Sequence, residues 1–137
     1  MTQLPTGSYP GMVGDMAIGG TDYLSFGPIS TGALQLYWFP GGSVAVTGNT
    51  IMSTSTWNHI AVSVNAGAIG LFVNGVNQTL TGTTTLSARS GTVNYLTVGQ
   101  SGSLQYYGYI DDLRITQGVA RYSTGTNFTL PSVQPVQ

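Results

Sequence analysis

No window of this 137-residue chain carries a helical period with caps; short runs of β-branched and aromatic residues follow one another, cut by glycine, asparagine and serine. Side chains repeat every two residues on a strand and every 3.6 on a helix, so this pattern favours strands throughout. Twenty glycines supply the breaks. Many short strands, each closed by a turn signal, describe an all-β antiparallel sandwich or barrel.

The expected strands follow in order. Tyr23 to Phe26 is ended by Gly27-Pro28, and Ala33 to Phe39 turns at Pro40-Gly41-Gly42 into Ser43 to Thr47. Thr56 to Val64 puts Asn58, Ile60, Val62 and Val64 on one face, with Trp57, His59, Ala61 and Ser63 on the other. Asn65-Ala66-Gly67-Ala68 turns into Ile69 to Val73, and Asn74-Gly75 is a type I′ turn signal leading into Val76 to Leu80. Thr79 to Thr85 reads as a polar loop or edge strand. Asn94 to Val98 and a long last strand, Tyr106 to Thr116, follow, then one helical turn over Gln117 to Tyr122 and a short segment at Phe128 to Leu130. The expected organisation is one domain over 1–137, with an N-terminal arm at 1–22 and a tail at 131–137.

Charge narrows the chemistry. The chain has no lysine, glutamate or cysteine; its charges are Asp15, Asp22, Asp111 and Asp112 against Arg89, Arg114 and Arg121. At 5% charged residues it lies far below the roughly 25% of ordinary domains. Schiff-base lysines, thiol nucleophiles and thiolate metal sites are excluded. Three scattered arginines cannot displace many phosphate counterions, so no nucleic-acid partner is expected. No apolar run approaches the roughly 18 residues of a membrane span. No signal peptide is visible at the N-terminus. Near-neutral surfaces are poorly soluble alone, which points to a surface covered in the working state.

The second half resembles a known family. Trp57-Asn-His-Ile-Ala-Val-Ser-Val, then Leu71-Phe-Val-Asn-Gly-Val, then Leu96-Thr-Val-Gly-Gln-Ser-Gly, and Tyr107-Gly-Tyr-Ile-Asp-Asp-Leu-Arg-Ile-Thr-Gln-Gly-Val-Ala-Arg-Tyr stand in the order seen in laminin-G-like, concanavalin A-like jelly rolls. The last segment, followed by Asn127-Phe-Thr-Leu-Pro, is similar to the version in bacteriophage virion proteins. The resemblance spans about residues 23 to 131. It implies a jelly-roll β-sandwich. Family members begin with further strands where this chain has only a Gly/Pro-rich stretch, so a sandwich truncated at its N-terminal edge is expected. An open edge invites pairing with another chain, hence a homo-oligomer with a trimer favoured.

Candidate sites are few. Glucanases of this fold work through paired carboxylates, about 5 Å apart or 6.5–9.5 Å apart. Here Asp111 and Asp112 are adjacent on an expected strand and point to opposite faces, so no enzyme is expected. Asp112 and Arg114 would share a face as a structural pair. His59 has no second histidine or cysteine with which to hold a metal, and the resemblance implies that it packs within the sheet. Trp57 is expected as a core or hairpin anchor. Some laminin-G-like modules bind calcium, but Asp15 and Asp22 lack the carboxylate density of such a loop, so no metal or other cofactor is expected. Tyr37, Trp38, Tyr106, Tyr107 and Tyr109 are the candidate binding residues, at an interface or on a glycan.

The functional expectation is a structural virion protein, a capsid decoration (cement) protein on the capsid surface. Its partner would be the major capsid protein or another virion protein. A glycan- or receptor-binding module of a tail fibre or spike is the alternative, and neither reading involves nucleic acid or membrane.

Overall fold

The computed structural model describes residues 11–17, 23–39, 44–87, 93–101 and 104–130. Among these there is no helix. The strands are β1 (Val13–Ala17), β2 (Tyr23–Pro28), β3 (Ala33–Trp38), β4 (Val44–Ile51), β5 (Ile60–Asn65), β6 (Ala68–Val73), β7 (Val76–Asn77), β8 (Leu80–Gly82), β9 (Val93–Val98), β10 (Gln100–Ser101) and β11 (Leu104–Gln105). They form a six-stranded antiparallel sheet, β8-β4-β3-β2-β1-β9, a three-stranded sheet, β5-β6-β7, and the small hairpin β10-β11. The architecture is the all-β antiparallel sandwich read from the sequence.

Register explains the core. Cross-strand partners share a face, so Val13, Phe26, Leu36 and Val46 make one row and Leu24, Trp38 and Val44 the next. The facing sheet presents Val73 against Ile60, Leu71 against Val62 and Ile69 against Val64. Leu34, Leu36, Trp38, Val46, Ile69, Leu71 and Val73 pack together between the layers. At about 25 cal/mol per Å², this buried aliphatic and aromatic surface is the dominant stabilising term.

Two turns match their sequence signals. Asn74 and Gly75 have φ of 52° and 80°, and Ala66 and Gly67 have 47° and 85°. Both pairs lie in the left-handed region that tight hairpins require.

Three expectations are corrected. Val13–Ala17, assigned to the arm 1–22, is a strand paired on both sides, with β2 and with β9. A Cβ on Gly14 would sit 2.7 Å from Ser101 Oγ, so the glycine lets β10 close over β1. Residues 106–116 form no strand, because the backbone turns at Asp112, where φ is 50°. Gln117 to Tyr122 forms bends without a helical turn. The rest of the arm (1–10 and 18–22), the turn at 40–43 and the tail at 131–137 lie outside the described residues.

Candidate functional site

The candidate aromatics separate by burial. Tyr37 and Trp38 lie in β3, a middle strand of the larger sheet, and are 3% and 0% exposed. That removes both from any binding surface and corrects the expectation. Tyr106 packs against the core, and burial raises its phenol pKa above the usual value. Tyr107 and Tyr109 stay on the surface, Tyr109 at 68% exposed. Gly108 lets the chain bend between them: a Cβ there would meet the ring of Tyr106. Tyr107 donates its hydroxyl to Gln105 Oε1 at 3.3 Å.

Trp57 is 62% exposed, which corrects the core half of the expectation that it is a core or hairpin anchor. It precedes β5 at a point where the chain has not yet entered the sheet. Leu113, Ile115 and Val119 are exposed as well, and so are Tyr95, Leu96 and Val98 of β9. Among the described residues, β9 is an edge strand. Exposed large apolar side chains therefore stand along β9 and through residues 107–119, where Asp111, Asp112 and Arg114 are interspersed among them.

Asp111 and Asp112 do not sit on a strand. Asp111 Oδ1 accepts the Asp112 N–H at 2.9 Å, a local turn bond. Without strand geometry nothing sets Asp112 beside Arg114. The Asp112 charge acts on His59. Asp15 Oδ1 accepts the Leu24 N–H at 2.6 Å, so this carboxylate is engaged in the sheet. Asp22 lies outside the described residues. Among the described residues, no group of three or more His, Cys, Asp or Glu side chains could hold a metal ion.

His59 stands one residue before β5, in an aromatic cluster. Its ring meets Tyr122 at 6.4 Å and Phe128 at 5.6 Å, both edge-on. Tyr122 and Phe128 stack on each other at 3.8 Å and 7°, and both lean on Phe72. Burial lowers the His59 pKa below its usual value, against a smaller raising effect of Asp112.

Sequence reasoning missed the amide side chains. Gln78 is buried; its Oε1 accepts the Thr50 N–H at 2.9 Å, and its Nε2 donates to the Val76 carbonyl at 3.0 Å. Asn74 Oδ1 accepts the His59 N–H at 2.9 Å, Asn49 Oδ1 the Thr79 N–H at 3.1 Å, and Asn127 Oδ1 the Asn77 N–H at 2.8 Å. In a chain nearly without charge, neutral amides tie loops to strands. The available signal was the placement of Asn and Gln at strand ends, where such side chains satisfy free backbone groups.

A family model described as the Concanavalin A-like lectin/glucanases superfamily matches residues 7–121. No curated protein and no solved structure matches.

Proposed function

We propose that this chain, which belongs to the Concanavalin A-like lectin/glucanases superfamily, is a non-catalytic structural protein of a bacteriophage virion, a capsid decoration (cement) protein. Its work would be geometric: a neutral sandwich, oligomeric and most simply trimeric, laid over junctions between capsid subunits. The observation that carries this reading is the run of exposed apolar side chains in residues 107–119 and β9, including Tyr109, Ile115 and Leu96. Such side chains gain by leaving water when a partner covers them. The chemistry of a glucanase is poorly served: the chain has no glutamate, and its two adjacent aspartates meet in a local turn bond.

The test is localisation. A density label on this protein, imaged by electron cryomicroscopy of purified particles, would lie at regular lattice points over the head. Label confined to the tail, or absent from particles, would remove the cement reading.

A second reading has its own observation. Trp57, Tyr107 and Tyr109 are exposed, and flat exposed rings stack on sugars. A glycan-binding module would lose array binding on Trp57→Ala or Tyr109→Ala. An array without binding removes this reading.

A further inference from the structure

Residues 122–128 lie on the face of the three-stranded sheet that points away from the core. That face is made of Ala61 and Ser63 on β5 opposite Phe72 and Gly70 on β6. Its small residues leave room. A Cβ on Gly70 would meet the Phe72 ring and Thr124 Cγ2 at 3.0–3.1 Å. Tyr122 and Phe128 fill the space as a stacked pair, with Phe72 and His59 against them. Three hydrogen bonds fasten the backbone: Phe128 N–H to the Gly75 carbonyl at 2.9 Å, Gly125 N–H to Asn77 Oδ1 at 3.2 Å, and Asn77 N–H to Asn127 Oδ1 at 2.8 Å.

One atom in this clasp is out of balance. His59 Nδ1 is buried and has no hydrogen-bond partner. A neutral imidazole needs at most one acceptor for its single N–H, whereas an imidazolium carries two N–H donors and a charge. Protonation would therefore put a charge on a half-buried ring and leave its buried Nδ1 donor unmet, which is costly.

We propose that His59 makes the docking of residues 122–128 pH-dependent: the clasp closes on the neutral imidazole and loosens when the ring takes a proton. The groups that face the ring are Asp112, whose charge favours the proton, and Tyr122, Phe128 and the Asn74 turn, which bring no charge. Burial outweighs Asp112, so the closed clasp holds the ring's pKa down. The sign follows. The open state binds the proton more readily, so closure is complete above the ordinary value of 6.5 and is lost as pH falls below it. One proton limits the change to about tenfold per pH unit.

The experiment follows the His59 ring protons by NMR together with amide exchange protection at Gly125 and Phe128, from about pH 8 to about pH 5. Protection at both amides falls in step with the His59 titration, while Leu36 in the core stays protected. In His59→Phe the fall disappears. Constant protection through the titration, or the same fall in His59→Phe, overturns the proposal. Should that variant fail to fold, Asp112→Asn decides. Without the carboxylate, the closed clasp resists the proton more strongly and the acid loss grows; an equal or smaller loss sinks the idea.

Discussion

Replacing Gln78 tests whether a neutral side chain bolts the two sheets together. Gln78 follows β7 and precedes β8, where the chain passes from the smaller sheet to the larger. It is 3% exposed, and its amide spans from Val76 to Thr50 on β4. Gln78→Ala deletes two hydrogen bonds, at about 1 kcal/mol each. It also removes the buried Cγ methylene, which lies over Gly48 so closely that a Cβ there would meet it at 3.0 Å, adding about 1 kcal/mol. The expected loss is about 3 kcal/mol, a large part of the stability of a small domain. It appears as a lower urea midpoint with unchanged slope, and as a melting temperature about 9 °C lower. Gln78→Met keeps the volume and loses only the polar bonds, so it should cost about 2 kcal/mol. If both variants stay within about 0.5 kcal/mol of the parent, the amide is no bolt. If only the alanine variant falls, packing carries the effect and the hydrogen-bond reasoning is refuted.

Three further outcomes are expected. Gly75→Ala forces a Cβ into a residue at φ 80° and against the Phe128 carbonyl; it should cost about 1–3 kcal/mol in urea and raise amide exchange at Phe128. Trp57→Ala, at an exposed site, should leave the urea midpoint within about 0.5 kcal/mol while weakening association with particles or glycans; a large stability loss would mean that the ring is packed in solution. Tyr106 is held neutral by burial beyond the 10.0 at which the unfolded phenol ionises. Its share of stability is present below that value and is lost as pH rises through the folded pKa, so Tyr106→Phe should flatten the alkaline limb of the denaturation profile.

Much of the sandwich was legible because turn chemistry is local. Asn74-Gly75 and Asn65 to Ala68 announce hairpins through the sign of φ that their residues tolerate, and β5, β6 and β7 fall where those turns place them. Strand β1 was not legible. Val-Gly-Asp-Met-Ala has weak strand propensity, and it becomes a strand because β2 and β9 offer backbone partners on both sides. Residues 106–116 show the reverse case. Their residues favour a strand, yet the backbone turns at Asp112 and the segment joins no sheet.

The candidate site divides along the same line. From the sequence alone came the aromatic inventory, the near absence of charge and the exclusion of most catalytic chemistry, all of which depend on residue types. Which aromatic faces water was a tertiary decision. Trp38 and Trp57 are the same residue type; one is sealed between two sheets and the other stands outside because β5 begins three residues later. The meeting of His59 with Tyr122 and Phe128 was likewise settled only when the chain folded back over β6. Turns and strand periods come from interactions within a few residues. Burial comes from which surfaces meet, and those surfaces are brought together by segments far apart in the chain.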